Sequence, residues 1–320
     1  DTIILGGGTH SYTSSSRLNI SFDGTKSLVI KGAGKDKTII DANQKHRHFY
    51  FSASNLNTLL DTTFKIMDMT LKNGRPAGPD HGGSVYMTGN YDNNYGQFGH
   101  SPLFQNVIFE SNRSKHTASA SVKNGGAVFA QNSNPNFKNV KFVNNVAGTR
   151  GGAVYIGWAD TNKTIIFDHT DFISNYVEPL GQRTSHGGAV AIYQSGKVIF
   201  ESSTFDSNRV LLNDECCGTG PYGGAGIGVQ NSHDSLIVNN SKFRYNSSYG
   251  IENGNGGLAS GVAISAWDNW GDVKITNSLF EGNWGQASSG YHNSNLNDKP
   301  GMGGALYFRM PGYDQNGSMI

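Results

Sequence analysis

The stretch GGAVYIGWADTNKTIIFDHTDFISN, Gly151 to Asn175, holds one complete structural repeat and decides the fold. It opens on two glycines and a short apolar run. It then passes through a polar loop and closes with two further apolar runs ending in Phe-x-x-Asn. Apolar residues alternate with period two, which is the pattern of strands and not of helices. Copies of the opening half lie on both sides: GGSVYM (Gly82 to Met87), GGAVFA (Gly125 to Ala130), GGAVAI (Gly187 to Ile192), GGAGIG (Gly223 to Gly228), ASGVAI (Ala259 to Ile264) and GGALYF (Gly303 to Phe308). Closing halves end at Asn112, Asn145, Asn175, Asn208, Asn246 and Asn283, and an earlier variant, IMDMTLKNG, ends at Asn73 and Gly74. Successive closing positions lie 30 to 39 residues apart.

A unit this short cannot bury its own apolar residues, so the units must stack and share one core. The spacing places Phe104, Phe137, Phe167 and Phe200 in one column. A second column holds Phe109, Phe142, Phe172, Phe205, Phe243 and Phe280. Val85, Val128, Val154, Val190 and Val262 are the inward positions of the opening strand. The expected architecture is all-β: a right-handed parallel β-helix, a solenoid with three strands per coil and roughly nine coils, about 40–45 Å long at the strand spacing of a sheet. Residues 1–320 read as a single domain, with N-terminal coils over 1–74 and the repeats over 82–320. The chain stops mid-coil at Ile320, which reads as a fragment of a longer protein. Two polar ladders are expected at corners. One is Asn106, Asn139, His169, Ser202, Asn240 and Asn277, and the other is the Phe-x-x-Asn asparagines; Asn suits a left-handed turn, and stacked amides bond between coils.

Composition narrows the function. A net charge of +1 with 15% charged residues gives no polyanion-binding surface, so nucleic acid is not an expected partner. No run of about 18 apolar residues exists, so no membrane span is expected. Six Asn-x-Ser/Thr sequons occur, at Asn19, Asn112, Asn162, Asn239, Asn246 and Asn316. In a chain so rich in Asn, Ser and Thr, chance accounts for that number. Asn19, Asn162, Asn239 and Asn316 are the candidates for glycosylation, and the corner residues Asn112 and Asn246 are expected bare.

The alternation of Gly-Gly-Ala-[Val/Ile/Leu] with Phe-x-x-Asn over residues 82 to 308 resembles the repeats of the polymorphic outer-membrane protein family, which are surface adhesin passengers. The opening SLVIKGAGKDKTIIDA, Ser27 to Ala42, is similar to the first coils of pectate-lyase-like β-helices. The resemblance implies a β-helical fold and an extracellular or cell-surface location. It carries over no catalytic residue.

Polysaccharide-cleaving β-helices need a carboxylate pair, or acidic calcium ligands with a basic residue, gathered on a groove. The best such patch is Asp168 and Glu201 in neighbouring coils, with Lys138 one coil earlier and His169 beside Asp168. Each falls at an ordinary outward or corner position, and Lys138–Asp168 and Lys141–Asp171 read first as charge pairs on neighbouring strands. No cofactor is expected and no metal site. His46 and His48 supply two imidazoles on one strand face but no third ligand. The glycine runs are turns, since no helix N-terminus follows any of them.

The opening strand carries a stripe of small and aromatic residues, with Tyr86, Phe129, Tyr155, Ala191, Ile227, Ala263 and Tyr307 in its larger column. Loops from the same edge add Trp158, Trp267 and Trp270. Three readings stay open: loops of the same chain cover the stripe, another protein subunit docks there, or aromatic rings meet a glycan. Cys216 and Cys217 are adjacent, leaving a vicinal disulfide, intermolecular pairing or two free thiols. The expected function is a non-catalytic extracellular β-helix, either an adhesin or a building block of a filament or coat. Its partners are other subunits of the assembly or a cell-surface glycan. The rival is a polysaccharide lyase or glycoside hydrolase for an acidic polymer, using Asp168, Glu201, Lys138 and His169.

Overall fold

In the computed structural model, described for residues 1–12, 27–52, 59–78, 80–92, 96–114, 123–178, 185–212, 221–232, 234–250, 258–267, 271–286 and 304–309, the chain is all-β and forms a parallel β-helix. A 16-stranded sheet, an 8-stranded sheet and a 5-stranded sheet run along its axis. Every strand pair along these sheets is parallel, with the register the repeats dictate: Phe137 opposite Phe167, Phe142 opposite Phe172, Val154 opposite Val190. The largest sheet bends, so that one coil contributes two strands to it, such as Ile165–Asp168 and Asp171–Ile173. The bend falls at Asn106, Asn139, His169, Ser202, Asn240 and Asn277, all left-handed with φ between 48° and 52°. This corner therefore forms where the sequence places it. Each half of the bent sheet stacks nine rungs among the described residues.

The core is two columns of phenylalanine. Phe104, Phe137, Phe167 and Phe200 stack with centroids 4.6–5.4 Å apart. From Phe109 to Phe280 the second column stacks at 4.5–5.1 Å. The two columns meet edge to face, as Phe137 does on Phe142 at 5.5 Å. Both arrangements suit the ring quadrupole.

At the Phe-x-x-Asn corner the left-handed residue is not the asparagine, as the sequence reading has it, but the one before it: Ser111, Asn144, Ser174, Ser207 or Tyr245. The turn points the following asparagine inward, and Asn112, Asn145, Asn175, Asn208 and Asn246 are buried. From Asn145 on, each Oδ1 accepts the Nδ2–H and the backbone N–H of the preceding coil's asparagine, as Asn175 does from Asn145 at 2.9 and 3.0 Å. Gly74 closes the start of the ladder, its N–H donating to Asn112 Oδ1.

The opening strand is set by a left-handed glycine: Gly82, Gly125, Gly151, Gly187, Gly224 and Gly261 have φ between 53° and 67°. The second glycine of the pair is there for space. A Cβ on Gly152 would lie 2.0 Å from the Gly188 carbonyl oxygen in the next coil. This geometry corrects the alignment of two copies. The turn glycine of GGAGIG is Gly224 and that of ASGVAI is Gly261, so Ile227 and Ile264 pair with Val190 and Leu306 and point into the core. Ile227 and Ala263 therefore leave the outer stripe, which Gly228 and Ser265 occupy instead. Val262 packs with Val210 and Ala225 in a separate small cluster.

Candidate functional site: the outer strand faces

The acidic patch comes together as the register predicts. Lys138 lies opposite Asp168, and Asp168 lies opposite Glu201. His169 takes the left-handed corner, and its Nδ1 is 2.6 Å from Asp168 Oδ1. Glu201 is held from the next coil: Asn239 Nδ2–H donates to both of its oxygens, at 3.1 and 2.9 Å. Asn239 Oδ1 accepts in turn from Thr276 Oγ1 and Asn277 Nδ2. Lys138 is exposed and makes no ion pair among the described residues, while Lys141 reaches Asp171 at 3.6 Å. From Glu201 onward the side chains bond coil to coil, while Asp168 bonds within its own coil to His169.

The aromatic stripe is largely roofed by its own chain. Tyr50, Tyr86, Phe129 and Tyr155 stack in sequence at 5.1–5.3 Å. Phe129 and Tyr155 are only 2% and 1% exposed, so neither is available to a partner. The residues just before the left-handed glycines fold back over the rings. His81 stacks on Phe129 at 4.3 Å and accepts the Asn124 N–H at Nδ1. Arg150 bonds the Tyr155 side chain and lies over Tyr193, and His186 packs on Gly228. At the N-terminal end Arg47 covers Tyr86 and Tyr50 and pairs with Asp80 at 2.6 Å. The sequence signals of this roof are the tripeptides His81-Gly-Gly, Arg150-Gly-Gly and His186-Gly-Gly, where the residue before the turn points back along the strand.

Burial governs the titration of this region. It lowers His81 to about 4, lowers His186 well below the usual imidazole range, and raises Tyr155 to about 12. Burial alone would raise the Asp80 carboxyl, but the hydrogen bond and charge of Arg47 outweigh it and hold the group below the usual range.

Tyr86 and Tyr307 are half-buried. Trp158 lies edge-on to Tyr193 at 4.9 Å, and Trp267 packs against the Val210, Ala225 and Val262 cluster. His46 and His48 do not form a metal pair: both ring nitrogens of His48 are engaged, with Ser84 Oγ and the Ile40 carbonyl, each at 2.9 Å. Asn162 is exposed in its loop, whereas the Asn239 amide is held by Glu201. Asn19, Cys216, Cys217, Trp270 and Asn316 lie outside the described residues. No helix is long and apolar enough to cross a membrane among the described residues.

No family model matches the chain, and no curated protein matches it either. Among solved structures it is similar to the A-module of the Azotobacter vinelandii mannuronan C-5 epimerase AlgE4, at 9% identity over 88% of this chain and 87% of that one, with a TM-score of 0.24. A score that low carries no functional argument.

Proposed function

We propose that this protein is a non-catalytic extracellular β-helix, acting as an adhesin or as a building block of a surface filament or coat. The observation that carries this reading is the engagement of the acidic patch: Asp168 is bonded to His169, Glu201 to Asn239 and Asp171 to Lys141. A general acid or base needs a free lone pair or proton within reach of substrate. Glu201 and Asp171 instead spend their oxygens on a neighbouring coil, and Asp168 spends one of its own on the corner histidine beside it.

A specific observation favours a second reading. The Asp168–His169 pair at 2.6 Å, in register with Glu201, places two acids and an imidazole in adjacent coils. This grouping suits a lyase or hydrolase acting on an acidic polysaccharide. Incubation with polygalacturonate, alginate and hyaluronan, following reducing ends and the absorbance of unsaturated products, separates the two. The scaffold reading expects no turnover. Turnover abolished by Glu201→Gln would overturn it.

A further inference from the structure

An apolar stripe lies on the outer face of the bent sheet, in the half that holds Ile165–Asp168, Val198–Glu201 and Leu236–Asn239. Ile165, Val198 and Leu236 point into the core, as do Phe167, Phe200 and Val238, so alternation turns Ile166, Ile199 and Ile237 outward. The register stacks these three directly, coil on coil. Ile166 is 39% exposed, and Ile199 and Ile237 are half-buried. The column continues through Asn136, Leu103 and Lys65 at one end and Lys274 at the other. No member of it offers an aromatic face to a sugar ring. Its three strands are interior to the sheet, so no peptide can add to an edge there. What such a wall fits is another flat protein surface.

The flanks of the stripe select the partner. On one side its outward neighbours are Thr164, Lys197 and Ser235, and on the other Asp168, Glu201 and Asn239. In the middle coil the stripe therefore runs between a cation and an acid. Lys197 makes no ion pair among the described residues. Glu201 is held by a neutral amide, which leaves its charge in place. A two-fold axis laid along the stripe exchanges the flanks of two parallel copies. Each isoleucine then meets its own counterpart, each Lys197 meets the other copy's Glu201, and Asp168 meets the Thr164 hydroxyl. Lys138, one coil before Asp168 on the acid flank, opposes no cation. Lys274 shares its coil with Asp272, Lys65 lies three rungs from Ile166, and both stems are long enough to lean off the axis. Antiparallel copies fit worse. Every register that lays Ile166 on an isoleucine sets Asp168 against itself, Asp168 against Glu201, or Glu201 against itself, and like charges facing across an interface are strongly disfavoured. The parallel arrangement brings all nine rungs of this half-sheet into contact. At sheet spacings that is about 40 Å by 14 Å, or roughly 1,100 Å² over both copies, the lower end for a specific interface.

We propose that the Ile166–Ile199–Ile237 stripe is the contact between two copies of this chain, lying side by side and parallel. This rests on the surface-scaffold reading and names the face by which its building blocks join. The test is analytical ultracentrifugation of the intact chain, with reductant present so that Cys216 and Cys217 cannot link copies. The wild type should show a reversible dimer at concentrations on the order of 100 μM, where a small interface still registers. Ile166→Glu, which sets two like charges on the axis, should leave monomer alone. Lys197→Glu and Glu201→Lys should each weaken association by about tenfold or more. An equimolar mixture of those two variants should regain it, because a mixed pair restores both Lys–Glu contacts. Ile166 is exposed, so Ile166→Glu should keep the wild-type melting temperature and decides the matter if Glu201→Lys, which loses the Asn239 bond, does not fold. A wild type that stays monomeric, a dimer that survives Ile166→Glu, or a mixture no better associated than either variant alone would overturn the proposal. Polysaccharide turnover would instead sink the scaffold reading, whereas sedimentation alone decides this contact.

Discussion

The Nδ2–H of Asn175 donates to Oδ1 of Asn208 at 3.0 Å, and the Asn175 backbone N–H donates to the same oxygen at 3.0 Å. The second Nδ2–H closes on the Phe142 carbonyl at 2.9 Å. Each rung thus completes the hydrogen bonding of two neighbours, in a place no water reaches. Asn175→Ala would strand the two Asn145 donors and the Phe142 carbonyl, at a cost of about 3 kcal/mol from buried polar groups left unpaired. Asn175→Asp should cost more at neutral pH, because a carboxylate would face the Phe142 and Asn208 oxygens. Relative to wild type at the same pH, acid should narrow that deficit. Urea unfolding of the three proteins checks the order, and an alanine cost below about 0.5 kcal/mol would contradict the ladder.

Phe172 lies 5.1 Å from Phe142 and 4.7 Å from Phe205, fully buried. Phe172→Ala should open a cavity between coils and cost about 3–5 kcal/mol. Phe172→Leu fills most of that space and should cost about 1–2 kcal/mol. Equal melting temperatures for the alanine variant and the wild type would mean that the ring points outward.

Space between coils is tested at glycine. Gly152→Ala pushes a methyl against the Gly188 carbonyl, a backbone atom that cannot swing aside, so the variant should fail to give a cooperative transition. Gly78→Ala, with nothing within 4 Å of the new methyl, should melt as the wild type does. Circular dichroism through a thermal scan distinguishes the two.

Burial lowers His48, His81 and His100 to about 4, and lowers His186 well below the ordinary imidazole range. The unfolded chain takes up these protons near pH 6.5, the ordinary imidazole value, while the folded chain refuses them until about pH 4. Between those limits the unfolded state binds more protons, so stability falls as the pH drops and is independent of these groups above pH 7. Urea midpoints measured from pH 7.5 to 4.5 should decline, and His81→Gln should make the decline shallower. A midpoint that rises toward pH 4.5 would contradict the buried neutral imidazoles.

Expressed through a eukaryotic secretory route, Asn162 should carry glycan, being exposed in a loop. Asn112 should stay bare, its amide bonded to Asn145 and to the Leu71 carbonyl. Asn239, held by Glu201, should be sparsely occupied. Peptide mass spectrometry reads all three, and full occupancy at Asn112 with none at Asn162 would argue against the corner geometry.

The sequence by itself determined the solenoid. Phe-x-x-Asn recurs with its apolar residues at period two, and a unit that cannot bury Phe142 or Phe172 alone has to stack them, so fold, register and phenylalanine columns follow from local pattern. The left-handed corner at Asn106 and Asn139 was legible for the same reason, since it depends on one residue's own backbone preference. Only the tertiary structure decided which glycine starts the strand near Ile227 and Ile264. Gly223-Gly224 and the lone Gly261 read alike on paper, and the choice falls to the one whose turn delivers an isoleucine to the core. Tertiary structure also covered Phe129 and Tyr155: His81 and Arg150 sit before a turn in the chain but above a neighbouring coil in space. Contacts between coils are legible where the repeated motif aligns both members, as in the phenylalanine columns, and hidden where residues outside the motif meet across loops of variable length.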